Sequence, residues 1–124
     1  MFELKVKNRF AAAHNLTMVG EKCENLHGHN WNIEVCILGN ELNQAGVLID
    51  FGIIKKAVKK IIKTFDHKYL NEIKEFKNIQ PSSEQIAIYI AKQLKIFLSN
   101  TDPNIKVSKV SAWESENACA TYIP

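Results

Sequence analysis

The hydrophobic period of this chain changes twice, and the order of the changes restricts the fold more than any other feature. Residues 2–13 alternate Phe2, Leu4 and Val6 against Glu3, Lys5 and Lys7, the period of two expected of a half-buried strand. Residues 29–38 alternate again through Trp31, Ile33, Val35 and Ile37 and end at Gly39-Asn40. From Ile53 the period lengthens. Ile53, Ile54, Ala57, Val58, Ile61 and Ile62 make one helical stripe, Lys55, Lys56, Lys59, Lys60 and Lys63 fall largely off it, and Asp50 is placed to cap it. A second helix is expected after Pro81, where Ser82 and Gln85 have capping-box spacing, with Ile86, Ile90, Leu94 and Phe97 on its buried side. Two short strands, about 105–113 and 118–123, follow around Ser115-Glu116-Asn117, and the loop at 40–49 is the expected flexible stretch.

The resulting ββααββ order predicts an α+β domain spanning residues 1–124, an antiparallel sheet with both helices on one face. The other face then needs a cover. Phe10 and Trp31 are expected to supply it only by meeting another subunit, which makes homo-oligomerisation an expectation of the architecture. A chain of 124 residues is long enough for one core and short of two. Its net charge of +3 suits an anionic substrate such as a phosphate ester and is too weak to argue for nucleic acid; the helical lysine row reads as a solvated face. Three cysteines, Cys23, Cys36 and Cys119, form no CxxC and leave one thiol over, which favours a reducing compartment. With no apolar run near ~18 residues and a charged N-terminus, neither secretion nor membrane spanning is expected, and a cytoplasmic location is.

Four histidines remain to be placed: His14, His27, His29 and His67. His27 and His29 are two apart, so on a strand their rings leave the same face. A third ring from a neighbouring strand would complete a tripod, and three imidazoles with an open position describe a catalytic zinc site. Taken singly, each histidine reads as readily as a surface or hydrogen-bonded core residue, and spacing leaves that open.

Phe10-Ala11-Ala12-Ala13-His14, Cys23-x3-His27-Gly28-His29, Asp50-Phe51, Asp66-His67-x2-Leu70-Asn71, Pro81-Ser82-Ser83-Glu84 and Glu114 occur in this order. Together they resemble the 6-pyruvoyl-tetrahydropterin synthase and 6-carboxytetrahydropterin synthase family along the whole chain. The resemblance implies the tunnelling fold, in which trimers close a barrel and stack into a hexamer, and 7,8-dihydroneopterin triphosphate as substrate. It implies that His14, His27 and His29 ligate Zn²⁺, that Cys23 is the general base and that Asp66 and His67 form a proton relay. Glu114 would anchor the pterin, with Ser82 and Ser83 binding substrate. The family usually has Thr at the position of Ser82, Asn at that of Gln85 and Thr at that of Ser115, so contact details are expected to differ. The gap from Cys23 to His27 resembles the branch that makes 6-carboxy-5,6,7,8-tetrahydropterin with release of acetaldehyde and triphosphate, a carbon–carbon lyase feeding queuosine biosynthesis. Glu24-x2-His27 also resembles a branch forming 6-hydroxymethyl-7,8-dihydropterin, a folate precursor, so Glu24 is a second catalytic candidate. The 6-pyruvoyl product and a non-enzymatic zinc module are the further alternatives.

Overall fold

A computed structural model describes residues 1–17 and 24–124; Cys23 lies outside the described residues. Strands β1 (Phe2–His14) and β2 (His27–Gly39) pair antiparallel along their whole length, from Phe2 opposite Gly39 to His14 opposite His27. Helix α1 (Phe51–Ile62) follows, then a two-residue strand β3 (Lys68–Tyr69) and 3₁₀ turns at Leu70–Glu72 and Lys74–Phe76. Helix α2 (Ser83–Thr101), β4 (Lys106–Ser115) and β5 (Ala118–Tyr122) complete the described elements. The sheet runs β3-β1-β2-β4-β5, antiparallel except for β3, which lies parallel to β1, and it is open at both edges. The α+β reading holds. The short β3 and the two 3₁₀ turns carry no period of their own and were not foreshadowed.

Local chemistry sets the helix starts as expected. Asp50 accepts from the Gly52 amide at 2.6 Å, and Ser82 Oγ accepts from the Gln85 amide at 3.2 Å, each satisfying a donor the first helical turn leaves unpaired. In α1 the buried stripe is Ile54, Ala57, Val58 and Ile62; Ile53 sits outside it at 44% exposure, and all five lysines are exposed. In α2, Leu98 takes the last buried position and Phe97 is only half-buried. The 40–49 loop is anchored by buried Leu48 and Ile49 and folded about Asn43, whose side-chain oxygen accepts from the Ala45 and Val47 amides.

One expectation is corrected. Phe10 and Trp31 do not cover a second face; they lie in the one core, stacked with ring centroids 6.0 Å apart, and Phe65 packs on Phe10 at 5.6 Å. Their parity explains it: Phe10 shares a face with Val6, and Trp31 with Ile33, so all four point toward the helices. The opposite face carries Lys5, Lys7 and Glu34, with Lys7 Nζ 3.4 Å from the Glu34 carboxylate, and a Ser111–Thr121 hydroxyl pair at 2.6 Å. That face also carries Leu38 and Trp113, which share the parity of Glu34 and Ser111, so Phe10 and Trp31 are not the residues on which an architectural case for oligomerisation rests.

Candidate metal centre

Pairing of His14 with His27 at the end of the β1–β2 ladder, and the alternation that puts His29 on the same side, bring three rings together on the core side of the sheet. Ring centroids are 4.5 Å (His14–His27), 4.8 Å (His27–His29) and 5.2 Å (His14–His29) apart. Trp31 is their floor, edge-on to His14 at 5.1 Å and to His29 at 5.3 Å. Two rings are oriented from behind. His14 Nδ1 lies 2.7 Å from the Pro81 carbonyl oxygen and His27 Nδ1 lies 2.7 Å from that of Asn25. A carbonyl only accepts, so each Nδ1 carries the proton and each Nε2 presents a lone pair.

Glu114 enters from β4. One of its oxygens stands 3.2 Å from His14 Nε2 and 3.3 Å from His29 Nε2. The distances are those of ion pairs, but burial pushes the His14 and His29 pKa values below 6.5, outweighing the opposing pull of Glu114. We therefore take both rings as neutral. Both Nε2 atoms are buried and without a hydrogen-bond partner. An unprotonated ring nitrogen facing a carboxylate oxygen sets acceptor against acceptor, and a cation between them resolves it. One ligand atom from each of His14, His27, His29 and Glu114 lies within 4.8 Å of the others, so the group can hold a metal ion. Neutral imidazoles with one carboxylate are the donor set of a divalent transition metal. His14 is fully buried, whereas the Glu114 side chain is 34% exposed, so the cluster is approached from the Glu114 side. Sequence reasoning left that fourth position open and assigned Glu114 elsewhere.

The remaining candidates are spread out. Glu24 is exposed, and its carbonyl accepts from Asn15 Nδ2 at 3.3 Å. Asp66 lies 2.9 Å from His67 Nδ1 and also accepts from the Ala11 amide at 3.0 Å; that amide is the main cause holding the Asp66 pKa below 3.8. His67, in left-handed backbone conformation at φ 58°, donates its own amide to the Ala11 carbonyl. Its side chain is 81% exposed and borders a hollow of about 530 Å³ that Ala11, Ala13, Asn30 and His29 also line. The Asp66–His67 pair thus lies beside β1 at the edge of the sheet and does not join the converging group of His14, His27, His29 and Glu114. Ser82 is occupied in capping α2, and Ser83 begins that helix. A larger hollow of about 640 Å³ beside α2 and β5, walled by Lys92, Leu98 and Tyr122, contains none of the candidates.

Several positioning groups escaped the sequence reading. Asn71 donates from Nδ2 to the Asn15 carbonyl (2.8 Å) and accepts on Oδ1 from the Asn15 amide (2.9 Å); Gln80 does the same for Thr17 at 3.0 and 2.6 Å. These side chains act as a surrogate strand for the segment leaving β1. Asn71 was visible only as part of a motif, and Gln80 carried no signal of its own.

An open five-stranded sheet backed by two helices, with three imidazoles and a carboxylate converging at one end, defines an α+β protein with a metal-competent centre. The profile of the 6-pyruvoyl tetrahydropterin synthase family matches residues 3–124. The chain belongs to that family and is a pterin-processing enzyme. It is 34% identical over 105 residues to dihydroneopterin monophosphate aldolase of Pyrococcus furiosus, covering 85% of this chain and 82% of the relative. It is 32% identical over 127 aligned positions to 6-carboxy-5,6,7,8-tetrahydropterin synthase of Rickettsia typhi, covering 87% and 90%. Among solved structures, 6-pyruvoyl tetrahydropterin synthase of Caenorhabditis elegans superposes with a TM-score of 0.85 at 28% identity, covering 99% of this chain and 95% of that one.

Proposed function

We propose that this protein is a zinc-dependent carbon–carbon lyase. In this reading it converts 7,8-dihydroneopterin triphosphate and one water to 6-carboxy-5,6,7,8-tetrahydropterin, acetaldehyde and triphosphate. The observation that carries the reading is the pair of buried, unpartnered Nε2 atoms facing the Glu114 carboxylate, joined by the resemblance to the carboxytetrahydropterin relative. Bound by His14, His27 and His29, zinc would polarise the hydroxyls of the substrate side chain and lower the cost of removing a neighbouring proton.

The chain's own groups supply the rest. Cys23 accepts that proton as thiolate, a form its ordinary pKa of ~8.5 makes scarce at neutral pH without a nearby positive charge. Glu114, at the open side of the cluster, accepts from the pterin ring N–H and the exocyclic amine. Ser82 and Ser83 are the proposed hydroxyl contacts to substrate. Asp66 fixes the proton of His67 on Nδ1, leaving Nε2 to exchange protons with substrate. Because this pair does not join the imidazole cluster of its own chain, we assign it to a substrate held by a neighbouring subunit. The two open sheet edges provide for such assembly into a barrel and, with a second trimer, a hexamer. No helix among the described residues is long and apolar enough to cross a membrane, and a cytoplasmic site of action in queuosine biosynthesis completes the proposal.

A second reading is favoured by Glu24. It lies three residues before His27, its carbonyl is tied to the residue after His14, and the Pyrococcus furiosus relative is named as an aldolase. Glu24 in the role of base would give 6-hydroxymethyl-7,8-dihydropterin. The test is product identification from zinc-loaded protein and 7,8-dihydroneopterin triphosphate, for wild type, Cys23→Ala and Glu24→Ala. Carboxytetrahydropterin lost only with Cys23 supports the first reading; hydroxymethyl-dihydropterin lost with Glu24 supports the second. A pyruvoyl product replaces both, and absence of turnover leaves a non-catalytic metal module.

A further inference from the structure

We propose that Asn15 is a positioning residue for the reaction: it fixes the backbone at Glu24 relative to the metal ligand His14 and to the Asp66–His67 run. All four polar groups of Asn15 are engaged. Its amide and carbonyl are both gripped by the Asn71 side chain, at 2.9 and 2.8 Å. Its Oδ1 accepts from the Tyr69 hydroxyl, and its Nδ2 donates to the Glu24 carbonyl at 3.3 Å. The two side-chain contacts require an amide. The Glu24 carbonyl can only accept, so it decides which way round the amide sits and leaves Oδ1 to accept from the Tyr69 hydroxyl; a hydroxyl or a carboxylate serves the pair less well.

The placement gives the network its consequence. Tyr69 and Asn71 lie three and five residues after Asp66 and are held against β1 by the pairing of β3 with Ala12 and Ala13. Asn15 follows His14 directly, and His14 is itself fixed from behind by the Pro81 carbonyl. A metal ligand, the segment bearing Glu24 and the segment bearing the relay pair therefore meet at one side chain. None of these contacts reaches a position where substrate would react, so Asn15 acts through what it holds.

Where it concerns catalysis, this inference rests on the proposed pterin chemistry. The experiment uses the zinc-loaded enzyme as wild type, Asn15→Ala and Tyr69→Phe. It measures kcat and KM for each pterin product, the absorption spectrum of the cobalt-substituted protein, and amide hydrogen exchange at residues 24–26. We expect Asn15→Ala to lose on the order of 10²-fold in kcat, the effect of displacing a reacting group by about an ångström, with KM and the cobalt spectrum nearly unchanged. Tyr69→Phe shows a smaller loss in the same direction, and exchange at 24–26 is faster in both variants. An unchanged kcat, or a loss that tracks a disturbed cobalt spectrum, overturns the assignment. If wild type turns over no pterin, the functional reading fails separately. Exchange then decides: acceleration at 24–26 upholds the tether, and unchanged exchange removes it.

Discussion

Replacing Glu114 by glutamine should move the stability of the metal-free protein and its affinity for zinc in opposite directions. In the metal-free state at pH 8 His14 and His29 are neutral, since burial holds both below the ordinary value of 6.5. The Glu114 oxygen then faces the His14 Nε2 lone pair at 3.2 Å, with His29 Nε2 3.3 Å away. Glu114→Gln keeps the shape and offers an N–H to that lone pair, exchanging an acceptor–acceptor contact for a hydrogen bond worth about 1 kcal/mol. For a domain of this size that raises Tm by roughly 3–6 °C. With zinc bound, the same change removes a negative charge from beside the cation. Loss of a supporting or ligating group of this kind costs about 10–100-fold in affinity, or about 1.4–2.7 kcal/mol. Scanning calorimetry of chelator-treated protein gives the first quantity, and competition with a chromophoric zinc chelator gives the second. Lowering the pH should erase the gain, because a ring that takes up a proton becomes the partner of the carboxylate. A metal-free Tm that falls or stays put at pH 8, together with unchanged zinc affinity, would refute the arrangement of lone pairs described above.

His67→Ala should leave the zinc content of the purified protein unchanged while abolishing most turnover, because the ring is not among the groups that converge on the metal cluster; metal analysis beside a product assay checks both halves. Asp50→Ala removes the side-chain cap on α1 and should lower stability by about 1 kcal/mol in urea titration without altering metal content. Asp66 has a pKa held below 3.8, chiefly by the Ala11 amide, so its contribution is present above that value and is lost as pH falls through the folded pKa. Melting curves from pH 6 to 2 should therefore show a shallower acid decline for Asp66→Asn than for wild type.

Much of the sheet was legible because alternation is a local property. The parity of Val6 and Ile33 fixes the inward face of β1 and β2, and the same parity, carried four residues back from Ile33 and eight on from Val6, delivers His29 and His14. It should have delivered Phe10 and Trp31 as well; assigning them to an uncovered face came from counting apolar residues rather than following their register. The hidden parts are long-range. Asn71 and Gln80 serve backbone groups 56 and 63 residues away, and nothing in the spacing of amide side chains announces such a partner. Glu114 was legible as a functional residue but not as a neighbour of the imidazoles, because its place depends on how β4 registers against β2. Asp66 and His67 were legible as a pair, yet which side of the sheet they serve depends on a two-residue strand with no periodic signature.

The bedding of the imidazoles on Trp31 makes metal centre and core a single body. His14 is as deeply buried as the indole beneath it, and it is positioned by a backbone carbonyl rather than by a replaceable side chain. A substitution that altered the ligand set would have to be tolerated by the packing of the whole domain, so exchanging a ring for another donor is at the same time a core mutation. The member of the group least bound by that constraint is Glu114, 34% exposed and carried on β4.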